Sequence, residues 1–125
     1  MTRYLLPLIA LLYAGMVYAG DGPQAKIDWD YQLHTLDGRP MRDGPATDAP
    51  PMTLKRLVAE AFDSPDKDVT PLELRRRGDL ASDLMSGKIA ILSTADMELA
   101  KTLIAKTYPL PAVVSQAFRL LDGKP

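Results

Sequence analysis

The sequence predicts a mostly helical α+β domain: an N-terminal β-hairpin followed by about four helices, with a possible short third strand at 89–92. Three observations lead there. Residues 26–35 alternate apolar and polar with a period of two, the mark of a strand with one buried face. From Thr53 onward apolar residues recur at three- and four-residue spacing, as on an amphipathic helix. Caps, prolines and glycines then mark helix starts and stops through the C-terminal half. The chain has 125 residues, 46% apolar and 25% charged, with 15 basic and 16 acidic side chains, one His and no Cys. That composition suits one globular domain. It excludes disulfides, thiolate metal sites and cysteine nucleophiles, and a single His cannot form a multi-histidine site.

The first element is a leader. Residues 1–19 (MTRYLLPLIALLYAGMVYA) carry Arg3 as their only charge, then an apolar run, then small residues before Gly20. This is the pattern of a secretory signal peptide cut near Ala19. An uncleaved inner-membrane anchor is the competing reading, but the run lies near the lower limit of the roughly 20 apolar residues that a span requires. A misassigned gene start is the third reading, with Met16 as an internal start. Signal peptide or anchor places the remainder outside the cytoplasm, periplasmic or secreted. Residues 20–25 are a spacer, and 26–125 form the single small domain.

Within that domain, Ile27, Trp29, Tyr31, Leu33 and Thr35 form the expected inner face of the first strand, opposite Asp28, Asp30, Gln32 and His34. Asp37-Gly38 offers a turn, and Arg39–Arg42 a return strand that Pro40 restricts to an edge. Residues 43–51 (DGPATDAPP) read as a loop. Leu54, Leu57, Val58, Ala61 and Phe62 follow with helical spacing behind a Thr53 cap, and this helix ends by Ser64 because Pro65 restricts its predecessor. Thr70-Pro71-Leu72-Glu73 combines a capping box with proline at the first helical position and opens a helix to about Ser86, stopped at Gly87. Ile89–Leu92 is a short apolar run. Ser93-Thr94-Ala95-Asp96 starts a third helix reaching about Thr107. Pro111 begins a fourth, whose apolar side is Val113, Val114, Ala117, Phe118, Leu120 and Leu121 before Gly123.

This order resembles a group of small uncharacterised phage and prophage proteins over roughly residues 26–123. The resemblance lies in KIDWDYQLHTLDGRP, in TLKRLVAEAF after a polar loop, and in STADMELAKTLIAKTYPLPAVVSQAFRLLDG. It implies a phage-borne accessory protein and carries over no catalytic or binding residue. Such proteins begin near the first strand, so the apolar leader is a departure.

Two constellations bear on chemistry. Asp28, Asp30 and His34 share one side of the predicted strand, and carboxylates beside an imidazole can transfer protons; alternate polar residues on the wet face of a half-exposed strand are more often there for solubility, and that is the stronger reading. Arg75, Arg76 and Arg77 form a basic run, but successive helical residues fan out by about 100° and cannot all meet one partner. Loss of the leader leaves a slight acidic excess, whereas nucleic-acid binding calls for a basic surplus. No phosphate-cradling glycine loop and no G-x-S-x-G context occurs. The expectation is therefore a non-enzymatic accessory protein that docks to a protein partner of host or phage. It has no catalytic residue, cofactor or metal, expects no nucleic acid, and meets the membrane only through 1–19 if uncleaved. Candidate docking residues are Arg39 and Arg42 in the hairpin and Arg75, Arg76 and Arg77, with the 43–51 loop. The alternatives are a small periplasmic hydrolase using Asp28, Asp30 and His34, and a cytoplasmic nucleic-acid-linked phage regulator with a misassigned N-terminus.

Overall fold

In the computed structural model, which describes residues 27–124, four helices follow in chain order: α1 Leu54–Phe62, α2 Pro71–Met85, α3 Thr94–Thr107 and α4 Pro111–Leu121. The leader, the spacer and the start of the expected first strand lie outside the described residues. Each helix begins where its cap is written. Thr53, Thr70 and Ser93 accept hydrogen bonds from the backbone N–H three residues on, at Arg56, Glu73 and Asp96. α2 closes on Gly87, whose φ of +78° is the left-handed geometry that glycine adopts without a side-chain clash. There Gly87 N–H donates to the Leu84 carbonyl and Lys88 N–H to that of Asp83.

The expected α+β class is corrected. Among the described residues there is no strand and no sheet, and the domain is all-helical. Where the hairpin was expected, only isolated bridges form: Gln32 with Thr53, His34 with Pro40, and Arg42 with Pro51. Three causes prevent a ladder. Asp28 folds the chain back on itself, its carbonyl accepting from Tyr31 N–H and its carboxylate from Asp30 N–H. The Trp29 and Tyr31 carbonyls then accept from Lys55 and Leu54 N–H, so they cap the first turn of α1 instead of pairing with a strand. Finally, Pro40, Pro50 and Pro51 remove donors from the segments that could have continued the pairing.

A side chain closes what a sheet would have closed. Gln32 Nε2 lies 2.8, 2.7 and 3.1 Å from the carbonyl oxygens of Leu33, Met41 and Met52. These segments also exchange backbone bonds in a ring, Leu33 N–H to Met52, Met52 N–H to Met41 and Met41 N–H to Leu33. The expected third strand at 89–92 is corrected likewise. Ile89 N–H donates back to the Asp83 carbonyl, and the Trp29 indole N–H takes the Ala90 carbonyl at 2.9 Å.

α1 is the central element and packs against α2 and α3, while α4 packs on α3. Leu54, Leu57, Val58, Ala59, Ala61 and Phe62 are all buried, which is most of that helix. Leu33, Met52, Leu84, Ile104 and Leu121 join them in one core. Trp29 and Tyr31, expected inside, are half-buried against its edge.

Candidate functional site

The candidate docking arginines are dispersed and occupied in different ways. Arg39, at the tip of the 35–41 turn, pairs with Asp37 at 2.7 Å, with 82% and 54% of the two side chains exposed. Arg42 donates to the Ala49 carbonyl at 3.0 Å and so braces the proline-rich loop. Arg76 bridges α2 to the start of α3, pairing with Glu73 at 2.7 Å and Asp96 at 2.8 Å; these carboxylates hold its guanidinium above the ordinary arginine range. Arg77 is the only buried charged residue among those described, and it pairs with Asp66 and Glu73, each at 3.1 Å. Arg77, a candidate docking residue by sequence, is instead a tie between α2 and the preceding loop. Glu73 makes half of the expected capping box, because its carboxylate turns to Arg76 and Arg77. Arg75 has no ion-pair partner among the described residues.

Asp28, Asp30 and His34 are not assembled into one cavity. Asp28 serves its own turn, and Asp30 faces Lys55 at 3.4 Å. His34 is held by its backbone: its N–H donates to Gln116 Oε1 and its carbonyl accepts from Gln116 Nε2. Its ring meets the edge of Tyr31 with centroids 6.0 Å apart. Among the described residues no group of three or more His, Asp or Glu could hold a metal ion. Nor is any helix of those residues long and apolar enough to cross a membrane.

Two clefts remain. One, of about 270 Å³, lies between α1 and α2, with Glu60 and Arg56 on its rim and Gly78 and Ala81 in its wall. Glu60 accepts the Tyr108 hydroxyl at 2.6 Å, and Arg56 lies 3.1 Å from Asp43 and 3.9 Å from Glu60. Burial first, and then the neighbouring Asp43 carboxylate, push Glu60 above the usual carboxylate range. Burial and the Glu60 carboxylate likewise raise the Tyr108 phenol, so that hydroxyl is a donor and not a base near neutrality. Only the Arg56–Glu60 spacing of this cluster shows in the sequence; Asp43 and Tyr108 arrive through tertiary structure.

The second cleft, of about 370 Å³, opens between the 35–41 turn and the start of α4, lined almost entirely by apolar side chains. Leu36 stands at the turn tip 91% exposed, and Leu110 beside it 57% exposed. Its walls are built by strong local signals. The Thr35 N–H donates to the Arg39 carbonyl, and the Thr35 hydroxyl donates to Asp37. That bond, and then Arg39, hold the Asp37 carboxyl down at about 2. Pro111 fixes the opposite wall at the first turn of α4. The recess is thus lined by apolar side chains and Thr35, a surface suited to receive an apolar group and without a free nucleophile or base. Leu36 and Leu110 were not among the sequence candidates.

No family model, curated protein or solved structure matches this chain.

Proposed function

We propose that this chain is a small non-enzymatic docking protein of phage or prophage type, exported or membrane-held through residues 1–19, whose 35–41/α4 cleft receives an apolar side chain of another polypeptide. The exposed Leu36–Leu110 pair beside an apolar recess carries the reading. Fully burying one leucine gains about 1.5–3 kcal/mol, so a pair of leucines left in water next to a recess is surface with a use for cover. The lining favours docking over chemistry, since its one polar side chain, Thr35, is engaged by Asp37 and the Arg39 carbonyl within its own turn. The leader supports export, and the three sequence segments named above support the phage-type origin.

The test is a photo-crosslinking amino acid at position 36 of the full chain, with one at Arg75 as control. Crosslinks to a polypeptide at 36, absent at 75 and lost on Leu110→Asp, are expected. Equal crosslinking at both positions, or none that responds to Leu110→Asp, refutes the reading. N-terminal sequencing of the cell-derived protein tests export: a chain beginning at Gly20 is expected, and a cytoplasmic chain beginning at Met1 or Met16 removes that part of the proposal.

A further inference from the structure

We infer that Glu60 operates a proton-controlled latch, which holds the 43–51 loop to α1 while that carboxyl is protonated and releases it once the proton has passed to water. The loop is closed mainly on itself. Arg42 donates to the Ala49 carbonyl at 3.0 Å, Asp43 N–H to that of Pro50 and Ala49 N–H to that of Ala46, all within residues 42–50. Its ionic tie to a helix runs through one pair, the Asp43 carboxylate on the Arg56 guanidinium at 3.1 Å.

That guanidinium has a second claimant. Glu60 lies one turn along α1, 3.9 Å from the same nitrogen, and is also within hydrogen-bond reach of the Asp43 carboxyl. A neutral Glu60 leaves Arg56 to Asp43 and offers Asp43 a proton to accept. An ionised Glu60 competes for Arg56 at the i, i+4 spacing and repels Asp43, so both forces that hold the loop weaken together. Tyr108, in the connection after α3, does not distinguish the two states: its hydroxyl donates to Glu60 at 2.6 Å, and burial keeps the phenol protonated. The other charged group on this cleft is Asp63 of α1, and the α2 wall of Gly78, Ala81, Ser82 and Met85 carries none.

The side chains of Arg56, Asp43 and Glu60 are 30%, 28% and 35% exposed, so water reaches the proton and screens the pair. The consequence is a shift in loop population and not unfolding. Burial, and then Asp43, hold Glu60 above the usual carboxylate range. Closure thus keeps the proton on, so the closed loop is favoured below the Glu60 titration and gives way as pH rises through it.

The chain has no Cys, so Ala46→Cys in the loop and Arg75→Cys on α2, both at exposed positions, accept a single pair of nitroxide labels. Electron–electron double resonance on the full chain from about pH 4 to about pH 8, beside carbon NMR of the Glu60 carboxyl, reads the latch. One narrow distance at low pH and a second population at high pH are expected, with the exchange following the Glu60 titration. Glu60→Gln keeps a donor for Asp43 and an acceptor for Tyr108, and is expected to hold the narrow distance throughout. Asp43→Asn is expected to lose the pH response, and decides alone if circular dichroism shows Glu60→Gln misfolded. A distance that stays fixed while Glu60 titrates, a response that survives in a folded variant, or one that follows His34 near about 6.5 each overturns the inference.

Discussion

Replacing Gln32 by Leu removes the group that holds the non-helical third of the domain together. The Gln32 amide reaches three carbonyl oxygens, at 2.8, 2.7 and 3.1 Å, but has two hydrogens to give, so about two full bonds are lost. Each is worth about 0.5–1.5 kcal/mol net, which makes the expected loss about 2 kcal/mol. It is not larger because every one of those carbonyls keeps a backbone donor: Met41, Met52 and Leu33 N–H respectively. Urea unfolding reads this as a fall in midpoint of about 1 M, and thermal unfolding as a fall of about 8–16 °C. Locally, hydrogen exchange at Met41 and Met52 N–H is expected to accelerate more than exchange inside α1. Gln32→Glu sharpens the test. A carboxylate facing three carbonyl oxygens is disfavoured, so its folded pKa rises above the usual value of about 4.3. The penalty is then absent below the unfolded pKa and complete above the folded one, so this variant gains stability on acidification relative to Gln32→Leu. A Gln32→Leu loss below about 0.5 kcal/mol, with Gln32→Glu indistinguishable from it at all pH, refutes the argument that this amide substitutes for a sheet.

Three further perturbations test other parts of the fold. Gly78 lies inside α2, and a Cβ there meets nothing within 4 Å, so Gly78→Ala is expected to stabilise by about 1 kcal/mol in chemical denaturation; a destabilised variant contradicts that geometry. Phe62→Ala removes a 1% exposed ring from the centre of the core and is expected to cost about 3–5 kcal/mol, measured the same way; a cost near 1 kcal/mol indicates that the core around α1 can collapse. Glu60 is held above its ordinary value of 4.5, so the folded state binds its proton more tightly than the unfolded state does. The stability this proton provides is full below the unfolded pKa and fades as pH rises through the folded one. Glu60→Gln keeps an acceptor for Tyr108 and should lack that decline, so unfolding at pH 4 and pH 8 should differ less for the variant than for the wild type. A steeper decline in the variant contradicts the sign.

Elements fixed by a few neighbouring residues were legible in the sequence. Thr53, Thr70, Ser93, Pro111 and Gly87 each act within one helical turn, and the helices start and stop where those residues stand. The hairpin was not legible, because period-two alternation over 27–35 describes which side chains meet the core and not where the backbone hydrogen bonds go. Leu33 is fully buried and Asp28 and Asp30 are exposed, as alternation requires, but the pattern fails at the end of the segment. Thr35, expected inside, is exposed, and Gln32 and His34, expected outside, are half-buried because Gln32 bonds the surrounding carbonyls and His34 is held by Gln116. Yet the Trp29 and Tyr31 carbonyls are taken by α1, an outcome set by a helix more than twenty residues downstream. The cleft was invisible for the same reason: Leu36 and Leu110 each sit alone between turn residues, where a single leucine makes no pattern.

The arginine run shows how a structural demand can imitate a binding surface. α2 buries only Arg77, Ala81 and Leu84, so it has little apolar surface with which to hold its place. Arg77 reaches Asp66 in the loop before it and Arg76 reaches Asp96 at the cap of the next helix, and these ties do what packing does for α1. Backbone donation from Asp68, and then Arg77, hold the Asp66 carboxyl below its usual range, so this tie persists into mild acid and is lost only as pH falls through that lowered value. An arginine committed to its own fold is a poor handle for a partner, since docking on it must first break the pairing that positions α2. Arg76 and Arg77 are thus spent on holding α2, whereas Leu36, Leu72, Ile91 and Leu110 are exposed apolar side chains whose burial would break no ion pair.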